Sequence, residues 1–306
     1  MVLALSLAPS AVALAAGKAT VTTGNAANVT PSTASLLGKV NPNGAATAYF
    51  FQIGPTVLYG AQTAPTAVPG TGTKAVSVVA PVGALAPATL YHYRLVASNQ
   101  FGITRGADRT FKTKPQPLGL TLGATPNPVP FGKPTVLAGT LTGTGNAGRT
   151  VLLQSNPWPY TQGFKDAANQ QVTNAQGQFS FPLLSVPFNT QYQVRMPERP
   201  AVASPIVTVG VKQYVKTHVS KHRVQRGHRV RFSGTVSPVG NGGQIAFQKK
   251  RGSTWVTVGG TIVHSSGKYA KSVKINRGGT FRVWTGVTDQ QYTSNHGASV
   301  HLHTFR

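Results

Sequence analysis

Acid–base and nucleophilic catalysis need groups that this sequence scarcely contains. Its four carboxylates, Asp108, Asp166, Glu198 and Asp289, are spread one or two to a domain. That leaves no acid pair for general acid–base work. There is no Cys nucleophile, and no Gly-x-Ser-x-Gly elbow, His-Glu-x-x-His or phosphate-binding Gly-Lys-Ser/Thr loop. The reading is therefore a protein without catalytic residues, cofactor or small-molecule substrate. His301 and His303, two apart on one strand, have a spacing that metals accept, with His218 and His222 as further candidates. No carboxylate or thiolate accompanies them, however, and dense Lys and Arg repel a divalent cation, so they read as surface histidines with no metal site.

What the chain has in quantity is positive charge: 29 Lys and Arg against four acids, a formal net charge of +25. The last third, 212–306, holds 16 of the cations, seven of the eight His and a single acid, Asp289. In two of its stretches cations alternate with apolar residues at period two. Val230 and Phe232 point inward while Arg229 and Arg231 point out, and Val273 and Ile275 point inward while Lys268 and Lys274 point out. If both strands share a sheet, one face carries all four cations, with Lys221, Arg223 and Arg226 expected on the preceding edge. Such a face attracts phosphate or sulfate polymers by counterion release, without reading stereochemistry. The partners this implies are cell-wall polymers, acidic polysaccharide, lipid headgroups or extracellular DNA. Aromatic residues offer a second reading. Trp158 and Tyr160 fall in the Pro-framed stretch Asn156-Pro157-Trp158-Pro159-Tyr160, with Phe164 close by. There they either stack on a sugar ring or fold over the end of a domain. Trp284, with Arg282 as its period-two neighbour, reads as a ring beneath a guanidinium.

The elements positioning these residues are strands. Gly 34 and Pro 22, abundant Thr and Val and 11% charged residues describe short strands joined by turns. Strands are expected near Val29 and at Ala34–Val40, Ala46–Ile53, Lys74–Ala80, Thr89–Ser98 and Asp108–Thr113. The stretch Leu85 to Gly102, LAPATLYHYRLVASNQFG, resembles the fibronectin type III signature L-x-P-x-T-x-Y-x-x-x-V-x-A-x-N-x-x-G. The resemblance implies that Tyr91 is a tyrosine corner whose hydroxyl bonds to backbone near Leu85, and that Asp108 serves a turn. Further on the chain repeats itself. Gly132-Lys133, Gly139-Thr140-Leu141 and GNAGRTVLLQ recur about 95 residues later as Gly227-His228, Gly234-Thr235-Val236 and GNGGQIAFQ. Gly177-Gln178-Phe179 matches Gly267-Lys268-Tyr269, and the strand from Thr190 matches that from Thr280. This duplicated module resembles bacterial immunoglobulin-like or carboxypeptidase-regulatory-like domains.

The expected architecture is all-β, three tandem immunoglobulin-like or fibronectin-like sandwiches at 18–115, 116–211 and 212–306, with Lys114-Pro115-Gln116-Pro117 as the first linker. Residues 1–17 read as a signal peptide, an apolar run of about 15 residues ending at Ala13-Leu14-Ala15. The resulting expectation is an exported surface or matrix protein that acts as spacer and adhesin. Two alternatives stand beside it. One is a carbohydrate-binding accessory protein using the Trp158 loop. The other is a filament subunit whose unpaired terminal strand, Ser299 to Phe305, adds to the next copy.

Overall fold

Every regular element in the computed structural model is a strand; the structure describes residues 16–240 and 242–306. Residues 1–15, which hold most of the segment read as a signal peptide, lie outside the described part. The chain divides into two compact units, 1–117 and 118–306. The first holds one immunoglobulin/fibronectin-like β-sandwich and the second holds two.

In the first unit, Thr20–Thr23, Ala34–Asn41 and Val76–Val82 form one sheet. The other is built on Ala48–Gly54 and Leu90–Asn99, flanked by Gly102–Arg105 and Arg109–Lys112. Alternation sets the core: Leu36, Val40, Phe51, Tyr93 and Leu95 are fully buried between the sheets. The opening strand is Thr20–Thr23 rather than one at Val29, where only a bridge between Ala27 and Ser35 forms. The strand Gly102–Arg105 was not expected from the sequence. Tyr91 accepts a hydrogen bond on its hydroxyl from the Ala86 N–H at 2.9 Å. Asp108 takes a hydrogen bond from Tyr59 Oη at 2.9 Å and faces His92 Nδ1 at 2.8 Å, which ties the start of the last strand to its neighbours.

The two sandwiches of the second unit are built alike. In the first, Thr135–Thr142 pairs with Gln178–Leu183; in the second, Arg229–Ser237 pairs with Lys268–Lys274. One glycine in each shows why the repeat keeps its pattern. A Cβ on Gly139 would lie 2.1 Å from the Thr121 carbonyl and 2.7 Å from the Phe179 ring. A Cβ on Gly234 would lie 1.8 Å from the Lys216 carbonyl and 2.6 Å from the Tyr269 hydroxyl. In each domain, then, an aromatic ring from the partner strand lies across a backbone that must stay bare. Each domain also has a short parallel pairing at its edge, Val129 with Val211 and Arg223 with His303.

These two domains are joined without a flexible linker. Val211–Lys212 ends the second sandwich and Tyr214–Val219 opens the third, with only Gln213 between. Gln213 is 1% exposed; its side chain donates to the Pro238 carbonyl and its own carbonyl accepts from Asn295. Tyr292 of the third domain packs into the core of the second, 6.1 Å from the Phe188 ring centre. Asn189 closes the joint: its Nδ2 donates to the Gln290 carbonyl at 2.8 Å, and its Oδ1 accepts from Val211 N–H at 2.7 Å.

Candidate polyanion-binding face

The outer face of the three-stranded sheet in the third domain is set by register. Tyr214–Val219, Arg229–Ser237 and Lys268–Lys274 lie side by side with Arg229–Ser237 in the centre. Val230, Phe232 and Val236 turn inward and are buried, so Arg229 and Arg231 must turn out. Arg229 is directly opposite Lys274, Arg231 opposite Ser272, and Thr235 lies between Lys268 and Lys216. Adjacent strands stand about 4.8 Å apart, so Lys216 and Lys268 flank Thr235 at roughly 10 Å. All of these cations are exposed.

Lys216 and His218 also belong to this face; the sequence reading did not single out Lys216 and weighed His218 only as a metal-ligand candidate. Their signal was present in Tyr214-Val-Lys-Thr-His-Val, where Lys216 and His218 occupy the outward positions of the same period-two pattern. Three of the expected residues sit elsewhere. Arg223 lies on a strand that pairs with Val300–Phe305, in the opposite sheet, and Arg226 follows it there, its N–H donating to the Phe305 carbonyl. Lys221 occupies the crossover between the two sheets. The physical reason is that the chain leaves the first sheet after Ser220 and crosses over, so that Val224 can fill the far side of the core.

No carboxylate neutralises the face. Among the described residues the ion pairs are His92–Asp108, Arg149–Glu198 and Arg195–Asp166, all outside 212–306. Asp289 lies at the joint, where its Oδ1 accepts from Gln291 N–H and its carbonyl from Trp158, while its Oδ2 is buried with no hydrogen-bond partner among the described residues. The Arg229 guanidinium donates to the Ser272 carbonyl at 2.9 Å, which spreads it across the strand pair, and its other donors stay available. Beside it, Arg231, Lys268, His264 and Tyr269 line a hollow of about 420 Å³. Arg229 and Lys274, directly opposite one another, lie within one Debye length, about 8 Å at physiological salt, so their potentials add, while Lys216 and Lys268 extend the positive face along the strands.

The aromatic candidates are placed differently from one another. Trp158 is half-buried against Phe188, 6.5 Å between ring centres, and its indole N–H donates to the Asp289 carbonyl at 2.7 Å. Tyr160 is half-buried beside it, and burial pushes its phenol above the usual tyrosine range. The loop thus spans the joint between second and third domains. Trp284 does not lie beneath Arg282, as its spacing suggested. The Arg282 guanidinium sits 4.3 Å over the Trp255 ring instead, held by Gln248, while the Trp284 ring covers Gly286. The rings of His301 and His303 touch at 4.7 Å. Among the described residues no cluster of three or more His, Cys, Asp or Glu could hold a metal. The strand bearing these two histidines is paired on both sides, with Arg223–Gln225 and with Gly279–Gly286. The expectation of an unpaired terminal strand is thereby corrected: the last strand fills an interior place in its sheet.

No protein family matches the chain, and no curated protein matches it. Among solved structures it is similar to a segment of titin, at 15% identity over 94% of this chain and 99% of that one, TM-score 0.38. It is also similar to the FN1–FN3 domains of chicken CNTN1, at 12% identity over 92% and 97%, TM-score 0.31. A tetra-tandem repeat from the extending region of a large adhesion protein aligns at 17% identity over 94% and 74%, TM-score 0.29. The architecture shown by the sheets themselves is an array of immunoglobulin/fibronectin-like β-sandwiches.

Proposed function

We propose that this chain is an exported, non-enzymatic surface or matrix protein, a spacer whose third domain attaches it to acidic polymers. The observation that carries the reading is the pairing of Arg229 with Lys274 on a face that also presents Arg231, Lys268 and Lys216. Like charges set opposite one another cost stability, and a sheet face without a matching acid gains from them only when an anion arrives. The tight joint between second and third domains suits a spacer, because it holds the face at a fixed distance from the preceding sandwich. Two carboxylates in one domain and one in each of the others leave hydrolysis or transfer chemistry without its usual groups.

The test uses the full chain and two triple variants of equal charge. Arg229→Ala/Arg231→Ala/Lys274→Ala removes cations from the face. Lys39→Ala/Lys74→Ala/Arg105→Ala removes as many exposed cations from the first domain. The reading predicts that only the face variant loses retention on a sulfated polysaccharide and a phosphodiester polymer. Equal loss in both variants would show that net charge alone governs binding.

A further inference from the structure

A strongly cationic hollow lies at the end of the third domain, away from the joint with the second. There the turn after Gln244–Arg251 meets the segment from Lys274 to Gly279 around a cavity of about 710 Å³. Lys249, Lys250, Arg251, Lys274 and Arg277 line it, and no carboxylate does. Asp289 follows the opposite end of Gly279–Gly286, roughly 25 Å away at the rise of an extended strand.

Lys249 makes this cavity unlike a patch of solvated surface lysines. It occupies an inward position of its strand, opposite Phe281, where the alternation calls for an apolar side chain. Its ammonium donates to the Arg277 carbonyl at 2.5 Å and lies 5.5 Å above the Phe281 ring. The backbone leaves room for it: a Cβ on Gly279 would stand 3.2 Å from the Lys249 Cε. Burial first, and then the nearby Arg277 and Arg251, holds the Lys249 ammonium below the usual lysine range. The free protein thus keeps a partly desolvated cation among like charges, an arrangement that a bound anion would relieve.

We infer that this cavity is a binding site for a dianionic phosphate group, carried as a phosphomonoester or as a short oligophosphate. Five cations line this one hollow, more than a single carboxylate can neutralise, and a phosphate dianion offers three strong acceptor oxygens to those that reach it. The volume exceeds a lone phosphate ion and leaves space for the group that bears it, with the half-exposed Val258 on one wall. Lys274 belongs both to this cavity and to the sheet face, so an acidic chain lying on the face can present its phosphorylated end here. The site stands on the cavity alone and does not require the face to bind polymer.

The experiment is calorimetric titration of the full chain with inorganic pyrophosphate, and with a trinucleotide bearing or lacking a terminal phosphomonoester. The two probes separate a free oligophosphate from a phosphorylated chain end. Each is run on Lys249→Met, on Arg277→Gln and on Arg229→Ala/Arg231→Ala. Removing one charge-assisted hydrogen bond weakens binding by about tenfold or more. That weakening is expected in both cavity variants, with the face variant near wild type, and the trinucleotide is expected to bind better with its terminal phosphate. Arg277 is exposed, so Arg277→Gln carries the test if Lys249→Met does not fold. The inference is overturned if wild type binds neither probe, if cavity variants bind pyrophosphate like wild type, or if the face variant weakens it as much as they do. A face variant that loses polymers yet keeps pyrophosphate supports the cavity, whereas cavity variants that keep polymers leave the face reading standing.

Discussion

Arg229 and Lys274 face each other directly across two antiparallel strands, cation opposite cation, with the Arg229 guanidinium donating to the Ser272 carbonyl at 2.9 Å. Opposed like charges on a sheet are destabilising by a few tenths to about 1 kcal/mol. Replacing Lys274 by Glu should therefore stabilise the free protein by about 0.5 kcal/mol in urea denaturation while weakening its retention on acidic polymers. A variant that is both less stable and equally retained would contradict the role given to this pair.

The joint between second and third domains includes a few partly or fully buried hydrogen bonds. Trp158→Phe keeps a ring against Phe188 and removes only the N–H that reaches the Asp289 carbonyl, a loss of about 1 kcal/mol. Asn189→Ala should cost more, about 3 kcal/mol, since it strands the buried Val211 N–H and releases the Gln290 carbonyl. Differential scanning calorimetry checks the order. It should also show the 118–306 transition splitting in two for Asn189→Ala.

Gly234→Ala and Gly139→Ala are predicted to act alike, because each glycine lies under an aromatic ring of the partner strand. A methyl group forced against the Lys216 or Thr121 carbonyl moves the strand pair apart, at about 3 kcal/mol. Chemical denaturation of the two variants gives the values. A neutral result at either position would show that the sheet can slide to make room.

Asp166 accepts hydrogen bonds from Gln154 and from the Arg195 guanidinium, which together hold its carboxyl below the usual aspartate range. A carboxyl depressed in the folded state stabilises above its unfolded pKa of about 3.9. That contribution is lost as pH falls through the lower folded value. Melting temperature should consequently drop less steeply below about pH 4 in Asp166→Asn than in wild type. Parallel curves would show that other groups govern the acid limb.

Period-two patterning made the inward and outward sets of Arg229–Ser237 and Lys268–Lys274 legible, because burial of Val230, Phe232 and Val273 leaves their neighbours no other direction. The repeat was legible through its glycines, which are demanded by backbone crowding at Gly139 and Gly234 and by a positive φ at Gly132, Gly177, Gly227 and Gly267. Register between distant strands was not. Nothing local to Arg223 says that its strand leaves one sheet for the other, since that choice depends on pairing with the distant His303. Lys249 escaped notice for a related reason. Its neighbours Lys250 and Arg251 make it look like part of a solvated turn, and its inward position appears only once it is seen opposite Phe281. Trp158 could be read two ways because the carbonyl it bonds lies 131 residues further along the chain.

The salt dependence of binding to a phosphodiester polymer tests the central claim most directly. Plotted as log binding constant against log salt concentration, the full chain should give a steep negative slope. On double-stranded DNA the Arg229→Ala/Arg231→Ala/Lys274→Ala variant should be flatter by about 2.7, at roughly 0.9 for each phosphate that is no longer neutralised. A variant slope equal to that of the wild type would contradict the assignment of polyanion binding to this face.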